Sequence, residues 1–327
     1  MDMASDITGV GQTTPVKYFF SWIAWPLLFA ICVAITAYGF SIDHSHLYFN
    51  LAYGFLIFSL FFLERWMPHE AQWQASDGQF WADILHTLTS KGTVQALLVA
   101  NGLIGVSDHL EGSGLFSLHL WPTSWPLFLQ ISLALVASEF MLYWAHRGGH
   151  EYLPLWRFHA IHHSVEKLWI VNTGRFHFVD SLYSIILGLI PLVLLGAPMD
   201  MIKWVAAITA FIGILTHCNV EMRFGWLSYI FNTPGLHRWH HSKDLREGNK
   251  NYGENVMIWD LIFGTYYDAS HRPPANIGIK EHMPVRFRQQ IIWPFLTNKK
   301  RKNIEFPGNI DLQPILPESD IVLQAAE

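Results

Sequence analysis

The chain has 327 residues, of which 51% are hydrophobic and 14% charged; soluble domains carry about a quarter charged residues, so this composition argues for an integral membrane protein. A net charge of −5 and the lack of any supporting motif leave no basis for a nucleic-acid partner. Cys32 and Cys218 make no disulfide framework.

Six apolar runs follow one another: Phe19 to Phe40, Leu47 to Leu63, Val94 to Val106, Leu127 to Ala145, Leu182 to Ala197 and Ile202 to Thr216. A full span needs about 20 apolar residues. The first and fourth runs suffice, while the third, fifth and sixth must tilt, extend into their flanks or re-enter, so four to six spans are expected. No cleavable signal is expected, since the first run is too long for an h-region and no basic n-region precedes it. The loops Ser41 to His46, Ser107 to Pro126 and Pro198 to Met201 contain no Lys or Arg, whereas Lys17, Arg65, Lys91, Arg147, Arg157, Lys167, Arg175 and the basic residues from Arg223 onward share the opposite side. The positive-inside rule then places both termini in the cytoplasm, and the membrane is the inner one if the cell is bacterial. The run Lys299-Lys300-Arg301-Lys302 suits anionic headgroups.

The fold expected is an all-α membrane protein whose four to six apolar helices carry a cytoplasmic helical cap. Residues 1–125 form an N-terminal membrane region, 126–270 the chemistry-bearing domain, and 271–327 a cytoplasmic segment and tail.

Three histidine clusters define that chemistry: His146-Arg-Gly-Gly-His150, His159-Ala-Ile-His162-His163 and His237-Arg-Trp-His240-His241. Positions i, i+3 and i+4 share one helical face, so each cluster can aim its rings at a common point. Helices are expected at all three. The fourth apolar run continues through His146, Pro154 suits the first turn of the next helix, and Asn232-Thr233-Pro234 is a cap followed by an N1 proline. The Gly148-Gly149 pair either frays the first helix or admits a close neighbour.

Imidazole is the commonest metal ligand at neutral pH. Ligation by histidine without paired cysteines departs from structural zinc patterns, and H-E-x-x-H is absent. So many ligands exceed what one tetrahedral ion needs and fit two. His177 and His217 stand either as further ligands or as groups that orient ligands. Glu139, on the face of His146, suits a hydrogen-bonding partner of a ligating imidazole, and Glu221 lies one turn beyond His217. Asp83 and His86 are expected to cap or to face solvent.

In order and spacing, these clusters resemble the fatty acid hydroxylase/sterol desaturase superfamily of membrane di-iron enzymes. Asn172-Thr-Gly-Arg175-Phe-His177 is similar to that family's R-x-H-P-x-E element, with Phe178 in place of Pro and Asp180 in place of Glu. Thr216-His217-Cys-Asn-Val-Glu221 is similar to its single-histidine segment. Asn232 to His241, Asn251-Tyr-Gly253 and Trp259 to Thr265 resemble its C-terminal signature. The likeness covers roughly residues 130 to 270, and it adds Arg175 and Asp180 to Glu139 and Glu221 as candidates for supporting the ligands.

The resemblance implies two iron ions (Fe2+/Fe3+) and O₂-dependent hydroxylation of a lipid C–H bond. Electrons would come from a cytochrome b5-like protein, a ferredoxin or a reductase. Desaturation of a sterol or acyl chain is the alternative on the same metals, and a non-catalytic metal-binding or metal-transport membrane protein is the alternative of another class. The lipid could be a sterol, a fatty acyl or sphingoid chain, an ether lipid or an amino-lipid headgroup.

Overall fold

A computed structural model of the chain describes residues 14–93, 118–281 and 283–297. Five of its helices are long and apolar enough to cross a membrane: α1 (Pro15–Ser41), α2 (Ser45–Trp66), α4 (Leu127–Glu151), α6 (Phe178–Leu195) and α7 (Met199–His217). Short helices lie between and after them: α3 (Phe80–His86), α5 (Leu153–His163), α8 (Pro234–His240), α9 (Leu245–Gly248), α10 (Ile258–Phe263) and α11 (Phe287–Ile292). Among the described residues β-structure is limited to isolated bridges. The short fifth and sixth apolar runs gain length by drawing in their flanks, which makes α6 and α7 18 and 19 residues long.

Helix α7 is the axis of the membrane part. One of its sides packs Phe211 and Leu215 against Trp25 and Cys32 of α1 and Leu56 and Leu60 of α2. The other packs Trp204, Ile208 and Ile212 against Ala134 of α4 and Leu192 of α6. The outward faces keep large apolar side chains exposed, Phe58 at 77%, Phe62 at 63% and Phe128 at 66%. A monomer in water rarely leaves so much apolar surface bare, and lipid covers it here.

All five long helices place one end at the same cap. The Arg223 N–H donates to the Ser21 carbonyl near the start of α1. Near the end of α2, Glu64 Oε1 accepts from the backbone of Ile170 and Asn219, both at 2.9 Å. At the opposite end, Leu118 and Leu120 donate to Leu194 and Leu195. The Val94 to Val106 run lies outside the described residues.

Buried polar struts fasten the cap. Arg175 donates to Asp83 and Gln79 at 2.8 Å, to Ser164 Oγ at 3.0 Å and to the Ile161 carbonyl at 3.2 Å. This ties α3 to the end of α5. Asp83 and His86 are thus fully buried, contrary to the expectation of capping or solvated groups. Asp83 answers the guanidinium, and His86 sits between the Phe176 carbonyl and Gln290. Removing one member of such a buried pair costs roughly 3–5 kcal/mol.

Candidate metal centre

Helix α4 runs unbroken through Gly148 and Gly149 to Glu151 and so carries both His146 and His150. Gly149 is where α5 comes closest, since a Cβ there would lie 3.3 Å from the His159 ring. The glycine pair thus admits a neighbour instead of ending the helix. Pro154 in the first turn of α5 and Pro234 at the start of α8 fix where the other two cluster helices begin.

The imidazoles converge in two sets. His146, His150, His159, His163 and His240 form the first, and His162, His217, His237 and His241 the second; the ligand atoms within each lie within 4.8 Å of one another. Nε2···Nε2 separations are 3.0 Å for His150–His163 and His159–His163, and 2.9 Å for His146–His240. In the second set they are 3.1 Å for His217–His237 and His237–His241, and 3.2 Å for His162–His241. The sets adjoin, with the His163 and His241 rings stacked at 4.4 Å.

The far nitrogens fix the protonation of several rings. His146 Nδ1 donates to the Tyr252 carbonyl at 2.7 Å, His240 Nδ1 to the Lys250 carbonyl at 2.7 Å and His217 Nδ1 to the Gly213 carbonyl at 2.8 Å. His159 Nδ1 meets Asp180 Oδ2 at 2.9 Å. A carbonyl only accepts, so in the neutral ring the proton sits on Nδ1 and Nε2 keeps a lone pair. Burial, and the repulsion each ring would meet if its neighbouring imidazoles were also protonated, hold His162, His163, His237, His240 and His241 well below the ordinary imidazole pKa, which keeps them neutral. Lone pairs crowded to about 3 Å repel one another unless a cation lies between them. This donor set fits metal ions.

Of the groups singled out from the sequence, His217 joins the second set and Asp180 orients His159. His177 joins neither set. It caps α6, with Nδ1 accepting from the Val179 N–H at 3.2 Å and Nε2 donating to the Ile291 carbonyl at 3.2 Å. Helix α6 starts at Phe178, so the preceding ring is used as its cap. Glu139 touches no imidazole. Its carboxylate accepts from the backbone of Glu254 and Asn255 and from Asn255 Nδ2, steadying the loop whose Tyr252 carbonyl holds His146. Glu221 bonds His69 at 2.7 Å and approaches Arg272 instead of His217, because the chain turns away from α7 at Cys218. Arg175 is the cap strut described above.

Sequence reasoning missed the acceptors at Gly213, Asn249, Lys250 and Tyr252, three of which act through backbone atoms that leave no residue signal. Asp260 explains the Asn251-to-Thr265 pattern. It accepts from the Tyr252 and Gly253 N–H groups at 2.8 and 2.6 Å and from Thr265 Oγ1 at 2.6 Å. A Cβ on Gly253 would lie 2.6 Å from the Val256 carbonyl, so this tight loop requires glycine. A cleft beside Lys243 and Ile279 reaches His150, His163 and His240 from the cap's polar side.

Comparison with known proteins gives a consistent pattern. The fatty acid hydroxylase family model matches residues 131–265. The ornithine lipid hydroxylase OlsE of Rhizobium tropici is 47% identical over 310 residues, 94% of this chain and 92% of its own length. The fatty acid hydroxylase vlmA of Lecanicillium sp is 31% identical over 178 residues, 50% of this chain and 48% of that one. The alkylglycerol monooxygenase of Homo sapiens is 32% identical over 160 residues, 48% of this chain and 34% of that one. No solved structure matches.

Proposed function

This chain belongs to the fatty acid hydroxylase/sterol desaturase superfamily and is a multi-pass membrane lipid hydroxylase, and on that premise we propose that it holds two iron ions and hydroxylates an aminoacyl membrane lipid of the ornithine-lipid class. The observation that carries the reading is the pair of imidazole sets, with buried Nε2 lone pairs converging on two adjoining centres. Imidazole alone suits zinc, copper, iron or nickel. Use of O₂ requires a redox metal, and iron is the choice consistent with the hydroxylase relatives. The lipid class follows from the 47% identity to an ornithine lipid hydroxylase along nearly the whole chain.

In the reaction one oxygen atom enters a C–H bond as a hydroxyl and the other leaves as water. An external donor supplies two electrons, and two protons are taken up. When bound, the irons supply the activation of O₂. The protein supplies the geometry. Tyr252, Lys250, Gly213 and Asp180 hold four ligand rings in one tautomer, and Glu139 and Asp260 hold the loop that presents Tyr252. The apolar faces of α4 and α6 lead lipid toward the cage, and the polar-side cleft brings solvent and a docked reductant near the first set. With the cap in the cytoplasm, that reductant is a cytochrome b5-like protein, a ferredoxin or a reductase. Metal transport needs a polar path through the spans, and the carboxylate inside α4, Glu139, is consumed by the 254–255 backbone.

The test is expression in a host that makes unhydroxylated ornithine lipid. Wild-type protein should yield ornithine lipid heavier by one oxygen atom, and His237→Ala should yield none. Purified protein should hold two irons per chain. Iron-loaded, membrane-inserted protein that leaves the host's lipids unchanged would remove the reading.

A further inference from the structure

The segment after Tyr252 does not stay in the cap, as its contacts in order along α4 show. The Tyr252 carbonyl accepts from His146 at the cap end of that helix. The Glu254 and Asn255 N–H groups reach Glu139, and the Trp259 indole N–H donates to the Val136 carbonyl at 3.0 Å. Val136 lies ten positions before His146, a descent of about 15 Å at a helical rise of about 1.5 Å per residue. The chain then climbs again, with Phe263 stacked on Tyr143 at 5.3 Å and Thr265 Oγ1 3.1 Å from the Tyr143 hydroxyl. Val136 is the middle of the Leu127 to Ala145 apolar run, and about 15 Å is half the thickness of a bilayer's hydrocarbon core. Helix α10 (Ile258–Phe263) is the tip of this hairpin.

The side packed on α1 shows the same descent. Phe231, bridged to Val256, packs on Trp25 and Phe29 at 5.0 and 5.7 Å. Those rings lie one and two turns deeper than Ser21, whose carbonyl takes the Arg223 N–H at cap level.

Two features suit the hairpin to lipid. Non-helical backbone at membrane depth is tolerated only where protein satisfies its polar groups. Here buried carboxylates answer four successive N–H groups, Asp260 those of Tyr252 and Gly253, and Glu139 those of Glu254 and Asn255. Asn232 Nδ2 donates to the Gly253 carbonyl at 2.7 Å, and the Met257 N–H to the Ile230 carbonyl at 3.0 Å. The exposed residues between 255 and 264 are apolar apart from Gly264: Ile258, Leu261 at 44%, Ile262 at 60% and Phe263. Phe263 meets the ring of Trp144 at 5.1 Å, and Trp144 is itself exposed, so this face continues the lipid-facing side of α4.

We propose that residues 252–265 form a re-entrant hairpin that enters the leaflet on the cap side, with the outer face of α10 against lipid acyl chains. The acids Glu139 and Asp260 serve the hairpin's backbone at that depth. Its first residue, Tyr252, holds His146, so one short segment joins the hydrocarbon to the imidazole cage. This contact is independent of which lipid is oxidised.

The test uses full-length protein in vesicles with a nitrobenzoxadiazole label on Ile262→Cys. Phe58→Cys on the exposed side of α2 is the membrane reference and Arg246→Cys on the cap the aqueous one; wild type, whose Cys32 and Cys218 are buried, is the blank. Lipids brominated along the acyl chain should quench the Ile262 label as strongly as the Phe58 label, and aqueous iodide should quench it as little. Iodide quenching to the extent seen at Arg246 would put α10 in water and overturn the hairpin. A label that neither quencher reaches would show a second copy or another protein over α10 and overturn the lipid contact. Leu261→Cys, on the same exposed face, gives the same reading where the Ile262 variant fails to insert.

Discussion

In the first imidazole set, His146 and His240 donate to backbone carbonyls, His159 to a carboxylate, and His150 meets the Asn249 side chain at 3.2 Å. In the second set His217 alone has such a partner, and the Nδ1 atoms of His162, His237 and His241 are buried without one among the described residues. Packing positions the second set instead, with Phe176 flat on His162 and His241 stacked on His163. A hydrogen bond fixes both tautomer and ring orientation, whereas stacking fixes only the plane. The cage therefore joins a half anchored mostly by hydrogen bonds to a half held mostly by packing. In the di-iron centre proposed above, ligands held less firmly on one side would have more room to shift.

The largest expected effect tests whether the halves are separable. Ala at any of His146, His150, His159, His162, His163, His237, His240 or His241 should abolish turnover while leaving membrane insertion intact. Graded chelation should then remove the metals in two steps, the second set emptying first. Metal analysis against chelator concentration with a single step, both ions leaving together, would show that the anchoring difference has no bearing on affinity.

A smaller effect sharpens the comparison inside one half. Asp180→Asn keeps the shape but removes the charge that holds His159, so affinity for the first ion should fall by about 10- to 100-fold, the usual cost of losing a ligand's supporting partner. His177→Ala, three residues away, should leave metal content unchanged. It should instead lower stability by roughly 0.5–2 kcal/mol, the range for a lost helix cap. Metal loss in the His177 variant, measured beside a thermal melt, would contradict its placement as a cap.

That contrast also marks where the sequence stops being informative. Helical spacing turns each cluster toward the cage but not toward a common point, since His159 and His163 join the first set and His162 the second, and His240 parts likewise from His237 and His241; the apolar runs locate the five long helices to within a few residues. Spacing is silent on His177, because whether a ring ligates or caps depends on where the next helix begins. It is equally silent on Glu139, which shares a helical face with His146 but lies too deep to reach its ring and instead meets a loop more than a hundred residues later in the chain. The backbone acceptors at Gly213, Lys250 and Tyr252 are set by loop geometry, which residue identity does not encode. The first 125 residues carry no motif, yet they supply Glu64 and Asp83, whose partners belong to other elements.

The smallest effect concerns acid, and it lies in the cap. Burial and the nearby Arg175 charge hold the His86 pKa down at about 4 from an ordinary 6.5, outweighing its hydrogen bonds to Gln290 and Phe176. The folded protein therefore keeps this ring neutral where the unfolded chain has already taken up a proton. The contribution is complete above pH 6.5, falls as pH drops through the window from 6.5 to 4, and is constant below it. One group changes stability by about 1.4 kcal/mol per pH unit at most. The ligand histidines titrate as well, so the useful quantity is the difference between wild type and His86→Gln in thermal melts across that window. The variant should lose stability less steeply on acidification, although it starts lower at neutral pH. Parallel curves would mean that His86 takes up its proton equally in both states, and that the polar strut of α3 does not sense pH.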